Sequence, residues 1–296
     1  MSLPELSKKR WEDQKLSLTV FFSNPTAVVG LVIVLVFIFD ALIMQFAPGL
    51  VGISQPNVLQ ADFTDPTPSL PSVLHPLGTT YPGIDLLNGI MKAIRVDLAY
   101  SVLVVVIGAA VGAGVGVISA SVGGLFDEFI QRVTDVVFSI PYLILALAVA
   151  FVLGRTLLNM TYALAVTWWP LYAKYARSQT LSTKEYTFVE AAKAGGAGRL
   201  RIMFKHILPN ALPPIFIQAS LDLGTIVIIF STLAFIGFVP NANLPELGYL
   251  TTLGLNYVDT IPTAVIFPGL AIMLFSLGVN LLGDGLRDVL DPRRRS

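Results

Sequence analysis

Six apolar runs alternate with polar segments along the chain, and their lengths set the architecture. The runs are roughly Thr26–Phe46, Leu98–Ala120, Val136–Leu153, Met160–Tyr175, Pro213–Val239 and Pro262–Leu282. A helix needs about 20 apolar residues to cross the hydrocarbon of a bilayer. It also closes its own backbone hydrogen bonds, which lipid cannot do for it. The pattern therefore predicts an all-α membrane protein with six transmembrane helices.

The polar segments divide the chain further. Residues 1–25 form a basic arm, with Lys8, Lys9, Arg10 and Lys15. Its Trp11, Leu16, Leu18, Phe21 and Phe22 suit a membrane surface, and a partly ordered tail is the alternative. The first span occupies 26–47. Residues 48–97 form a long proline-rich loop, a kind that is usually functional, and Ile84–Val96 within it has helical spacing. The core then runs over 98–283 and contains a polar loop at 179–212. Residues 284–296 are a polar tail.

Inside the core, Gly108, Gly112 and Gly116 recur every four residues, which predicts close helix packing. Ser121–Asp135 reads as a short polar turn. Pro141 predicts a kink near the start of the third span, with a carbonyl freed there. Asp40 and Asp222 are the carboxylates expected inside spans; for Asp40 the simpler expectation is contact with water or a loop near the span's end.

Composition narrows the class. Hydrophobic residues make up 54% of the 296 residues and charged ones 13%, against about a quarter charged in soluble domains. The formal net charge is zero, which offers nothing to nucleic acid. There is no cysteine, and His75 and His206 have no ligand spacing around them, so no metal site is expected. No cleavage site follows the first apolar run, which is expected to remain as an anchor. Of the 19 Lys and Arg residues, only Lys92, Arg95 and Arg155 fall on one side of a six-span layout. The positive-inside rule then puts both termini and the 179–212 loop in the cytoplasm.

That loop carries the most specific pattern. Thr187-Phe188-Val189-Glu190 fits a capping box. Gly195-Gly196 offers a helix stop in the left-handed region, and Gly198 allows a bend before Arg199–Lys205 resumes. Pro209, Pro213 and Pro214 mark the entry to the next span.

Glu190-Ala191-Ala192, Gly196 six residues after the glutamate, and Leu208-Pro209 resemble the EAA loop of ABC importer permeases. His206–Pro214, His75–Thr79, Ser139-Ile140-Pro141, Leu233–Gly237 and Asn280–Arg293 resemble its dipeptide/oligopeptide branch. The resemblance implies a type I permease fold with an external loop after the first span and a cytoplasmic coupling helix between spans four and five. Glu190, Ala191, Ala192, Gly196, Arg199, Leu208 and Pro209 would then contact an ATPase. It implies a second related permease, two cytoplasmic ATP-binding subunits and an extracytoplasmic binding protein as partners, in the cell membrane. ATP and Mg2+ would reside in those ATPases, and this chain would be a non-catalytic subunit without a cofactor. No Gly-x-x-x-x-Gly-Lys-Ser/Thr occurs in it.

Peptides are the implied cargo, with oligosaccharides or nickel complexes as alternatives. Two departures stand out. Thr80–Asp85 replaces the usual Gly-Arg-Asp continuation, and Phe230 stands where the family commonly has a glutamate, which favours a neutral or bulky solute. A secondary transporter would need charged pairs deep in the spans, where only Asp40 and Asp222 are available. A membrane hydrolase would need a clustered catalytic set, and none occurs.

Overall fold

The structure is a computed structural model and describes residues 19–238 and 244–290. The basic arm up to residue 18, Val239 and Pro240, and the Asp291-Pro292-Arg293 tail lie outside the described residues. The helices are α1 (Pro25–Phe46), α2 (Leu86–Val122), α3 (Gly124–Ser139), α4 (Tyr142–Leu153), α5 (Leu157–Lys184), α6 (Thr187–Ala194), α7 (Arg199–Ile202), α8 (Leu208–Phe235), α9 (Leu247–Leu255) and α10 (Thr263–Leu290). A two-stranded antiparallel hairpin, β1 (Thr79–Thr80) and β2 (Ile84–Asp85), precedes α2.

Local chemistry explains where the long helices begin. Asn24 caps α1, its Oδ1 accepting the Thr26 and Ala27 N–H groups at 3.1 and 3.4 Å, and Pro25 supplies a preset φ at the first position. Asp85 caps α2 through the Asn88 N–H at 2.8 Å. Thr156 caps α5 through the Asn159 N–H at 3.1 Å.

Among the described residues, four helical stretches are long and apolar enough to cross a membrane: Pro25–Phe46, Leu86–Val122, Arg199–Phe235 and Thr263–Val289. The pair α3 and α4 makes a fifth if taken as one broken span, bent by 94°. The helix expected as the fourth span, α5, is too polar to meet the same criterion, because Asn159, Thr161, Thr167 and Lys174 interrupt its apolar run.

Several expectations change. Residues 84–96 do not form a separate surface helix; most of them are the first turns of α2. Ser121–Asp135 is not a turn but contains most of α3, and the third span is interrupted at Ile140-Pro141. Hydropathy alone could not anticipate this, since α3 is amphipathic and needs neighbouring helices to cover one face. The expected sixth span, α10, runs past Leu282 to Leu290, and a further helix, α9, lies between α8 and α10.

The most extensive packing joins α2 to α5. A Cβ at Gly112 would lie 2.6 Å from the Tyr172 Cβ, and closer still to the Trp169 carbonyl oxygen. One at Gly116 would lie 2.9 Å from the Ala176 Cβ. The glycine stripe is thus the groove that receives α5, as small-residue packing predicts. Around it, Val104, Ala113, Val117, Leu164, Tyr172, Ile226, Phe230 and Leu233 form the main core. Helix α1 packs on α10 and leaves Val32, Leu35, Val36 and Phe39 exposed, an outward apolar face that matches lipid.

Candidate functional site

The loop singled out by sequence starts at the end of α5. There the Lys184 Nζ donates to the Ala120 carbonyl oxygen and, at 3.4 Å, to that of Ser121. These oxygens belong to the last turn of α2, so an ammonium sits at the negative end of that helix. Beside it, Arg177 on α5 donates to Asp127 on α3, with Nη2···Oδ2 at 2.7 Å and Nε···Oδ1 at 2.9 Å. The Ser119 hydroxyl adds a bond to Asp127 Oδ1 at 2.8 Å. Three helices are tied together at the foot of the loop.

Helix α6 begins at Thr187 with Tyr186 as its N-cap, and no side chain caps it. The expected capping box is therefore absent. Thr187 is already the first helical residue, one position too late for its hydroxyl to serve as the cap. Packing holds the helix instead. Val189 is fully buried, and Ala192 and Ala197 pack against the cluster that contains Ile202, Met203, Ile207 and Ala211. At the far end the Gly196 N–H donates to Lys193 O and the Ala197 N–H to Ala192 O, each at 3.0 Å. This reciprocal pair needs a left-handed residue between them, and Gly196 supplies it with φ of 79°. Nothing crowds its missing Cβ, so the dihedral alone calls for glycine.

Glu190 and Ala191 are exposed, as is Lys193. Arg199, the first residue of α7, is exposed as well. With Lys184, Lys193, Val189 and Ile207 it lines a 430 Å³ cavity. Lys193 and Arg199 form no ion pair among the described residues, so this hollow is cationic. Leu208 is half-buried and packs on the same core cluster as Ala192. Pro209 is exposed near the start of α8.

The chain between them does not loop freely. After α7 it makes a π-helical turn, Met203–Ile207, in which the Leu208 N–H donates to Met203 O. Pro209 has no N–H, and in a regular helix its ring would strike the Lys205 carbonyl four residues back. A wider turn removes that clash, and the Asn210 side chain donates to His206 O at 2.6 Å. The helix thereby continues from Arg199 through to Phe235; the polar loop is shorter than 179–212, and its second half is the base of the next span.

Five of the seven marked residues, Glu190, Ala191, Ala192, Gly196 and Arg199, therefore cluster on α6 and the turn after it. Leu208 joins them through the core, and Pro209 acts one turn away by shaping the helix. Sequence reading missed Lys184 and the Asp127–Arg177 pair as parts of this site. Their signal was an acid and two bases at the polar ends of apolar runs, but only packing shows that they meet.

A second hollow, of 200 Å³, lies at the break between α3 and α4, against Pro141, Tyr142, Thr167 and Trp168. Tyr142 stands edge-on to Trp168 with ring centroids 5.7 Å apart. Nearby, Lys174 lies over the Phe138 ring at 4.7 Å and bonds Asp135 at 2.7 Å. The expected kink at Pro141 is thus a full break. Asp222 is buried on α8 and accepts from Gln218 at 2.8 Å.

Residues 112–296, which include α6 and the whole turn system, match the family described as binding-protein-dependent transport system inner membrane component. The chain belongs to that family. Similar proteins agree along nearly its whole length. The probable D,D-dipeptide transport system permease protein DdpC of Escherichia coli is 38% identical over 91% of this chain and 88% of its own. The dipeptide transport system permease protein DppC of Alkalihalophilus pseudofirmus is 37% identical over 92% and 88%. The glutathione transport system permease protein GsiD of Pectobacterium atrosepticum is 35% identical over 76% and 75%. Among solved structures, an inward-facing MetNI methionine ABC transporter matches with a TM-score of 0.56 at 21% identity, covering 69% of this chain and 97% of that one. At that identity the likeness speaks for the fold. This permease is thus a multi-pass inner-membrane component of an ABC importer, with the type I permease fold.

Proposed function

We propose that this permease forms half of a translocation path for di- and oligopeptides and that α6 is its coupling helix. The carrying observation is mechanical. The Glu190–Ala191 surface is exposed, while Val189 and Ala192 on the same short helix are pinned to the core cluster that includes Ile202, Met203 and Ile207 at the foot of the helix leading into α8. A partner pushing on α6 acts on that foot through these packing contacts, across the short Gly195–Gly198 turn. The names of the relatives, two dipeptide permeases and a glutathione permease, support a peptide cargo.

In this reading two ATPase subunits bind ATP and Mg2+ in the cytoplasm, a second related permease completes the path, and an extracytoplasmic protein delivers substrate. The distribution of Lys and Arg supports cytoplasmic termini and a cytoplasmic α6. The cationic hollow at Lys184, Lys193 and Arg199 sits beside the surface that an ATPase would touch. Closure of the ATPases on ATP draws α6 with it and tips the helices toward the outward-open form. A switch from 1:99 to 99:1 requires about 5.5 kcal/mol of differential binding, so the ATP-bound ATPases must hold the outward-open form more tightly by that amount.

The deciding experiment is ATP hydrolysis by the full complex in lipid, with its binding protein, against peptides and oligosaccharides in turn. Peptides are expected to stimulate turnover; stimulation by sugars alone would replace the cargo and keep the permease role. Glu190→Lys together with Ala191→Asp is expected to uncouple or detach the ATPases. Normal transport by that variant would refute the role given to α6.

A further inference from the structure

At the end of the bundle remote from α6, two carboxyl side chains are sealed inside the protein. Asp97 lies on α2 and Glu246 at the N-cap of α9; they are 1% and 0% exposed. Each has one oxygen engaged. Asp97 Oδ2 accepts the Leu247 N–H at 3.1 Å, and Glu246 Oε2 accepts the Tyr249 N–H at 2.6 Å. The other two oxygens, Asp97 Oδ1 and Glu246 Oε1, are buried with no hydrogen-bond donor among the described residues. Asp97 holds the amide of the residue that follows Glu246, so the two carboxyls are neighbours, and the charge of Glu246 acts on Asp97.

Among the described residues, no cation is paired with either carboxyl. From α8 the Ser231 hydroxyl acts on Glu246, and on α2 the Ser101 hydroxyl lies one turn from Asp97. Both hydroxyls are buried, and the Ser101 hydroxyl has no hydrogen-bond partner among the described residues. A Cβ at Gly248 would lie 2.7 Å from the Ser231 carbonyl carbon, which shows how closely α9 rests on α8 here. The basic residues nearest on α2 are engaged elsewhere. Lys92 donates to Val58 O and Gln60 at 3.1 and 3.3 Å, and Arg95 donates to Gln45 at 3.1 Å. Other titratable groups on the packed elements include Asp40 on α1, Tyr100 on α2, Asp222 on α8, Tyr249 on α9, Asp284, Arg287 and Asp288 toward the far end of α10, and on α5 Tyr172, with Arg177 and Lys184 held at its opposite end by Asp127 and the Ala120 carbonyl. Asp97 also borders a cavity of about 10 Å³ lined by Phe37, Ile94, Leu98, Val227, Leu247 and Phe275. That is the lower limit for one water. It supplies no further oxygen for a metal ion, which would want six or more.

Two adjacent carboxylates without a cation, in apolar surroundings, cannot both stay ionised: each lacks hydration and each repels the other. A proton on either removes its charge and turns one of the unsatisfied oxygens into a donor. We propose that Asp97 and Glu246 hold one proton between them, a proton-binding site that fastens α9 to α2. Burial pushes the Glu246 carboxyl up to about 7. A carboxyl raised in the folded state above its unfolded value, about 4.3 for glutamate, stabilises the fold fully below that value. The contribution is lost as pH rises through about 7. The inference does not depend on the role given to α6 or on the cargo.

Asp97→Asn tests it. The amide oxygen keeps the Leu247 bond, and the amide N–H stands where the shared proton would be. Infrared difference spectra and thermal unfolding of the purified full complex in lipid are recorded from pH 6 to pH 9. The wild type is expected to show the C=O stretch of a protonated carboxyl that fades with rising pH, and a melting temperature that falls with it. Asp97→Asn is expected to lose that band and flatten the pH dependence while still assembling. Glu246→Gln, which keeps the cap on Tyr249, repeats the test if Asp97→Asn does not assemble. An unchanged carboxyl band, or an unchanged pH slope in the variant, overturns the proposal. Stabilisation by Na+ or K+ with no such band overturns it too, and gives the site to a cation.

Discussion

Gly116→Ala and Gly114→Ala make a matched pair that tests the α2–α5 interface. Both glycines lie in the interior of α2, so alanine should gain roughly 0.5–1 kcal/mol of helix propensity at each. Their surroundings differ. At Gly114 nothing lies within 4 Å of the added methyl. At Gly116 it would lie 2.9 Å from the Ala176 Cβ and 3.0 Å from the Ala173 carbonyl carbon, and closer still to that carbonyl's oxygen. Carbon atoms prefer about 3.5–4.0 Å, so α5 must retreat by about 0.5–1 Å. A gap of that size forfeits a quarter to a half of each lost contact along the seam, and overpacking of this kind costs about 1–3 kcal/mol. Gly114→Ala is thus expected to be neutral to stabilising and Gly116→Ala net destabilising. The difference between them, about 1–3 kcal/mol, is the packing term freed of propensity. Thermal or denaturant unfolding of the purified complex in one detergent measures it. Equal effects at the two sites would show that α5 does not lie in this groove, and the account of the bundle would fall with it.

Two further outcomes test the loop. Gly196→Ala forces alanine to a φ of 79°, at a cost of about 1–2 kcal/mol, with no crowding to add to it. Hydrogen exchange at the 195–197 amides is expected to rise about 5–30-fold, and an unchanged rate would mean that the turn is not left-handed there. For Asp127 and Arg177, a double-mutant cycle with alanine should give a coupling of about 1–2 kcal/mol in unfolding experiments. The bidentate, charge-assisted geometry argues for the upper part of that range and the partial exposure of Arg177 for the lower. A coupling near zero would show that solvent already separates the pair.

The sequence by itself determined what depends on local chemistry and on the solvent. Apolar runs of bilayer length can only be helices, because lipid satisfies no backbone group. Hence α1, α2, α8 and α10 were legible. So were the glycine stripe of α2, whose spacing matches a helix face, and the stop at Gly196, whose conformation suits glycine. The exposed part of the candidate site was legible for the same reason, since Glu190, Ala191 and Arg199 sit within one short, well-punctuated stretch.

Tertiary structure decided everything that needed a partner far along the chain. The capping box failed because packing of Val189, and not a hydroxyl, sets where α6 begins. The polar loop shrank because a π turn lets Pro209 stay helical. Asp97 and Glu246 are 149 positions apart, and each alone reads as an ordinary surface acid. Only the fold removes both from water and sets them side by side, where desolvation and mutual repulsion give them a chemistry that neither has in the chain alone.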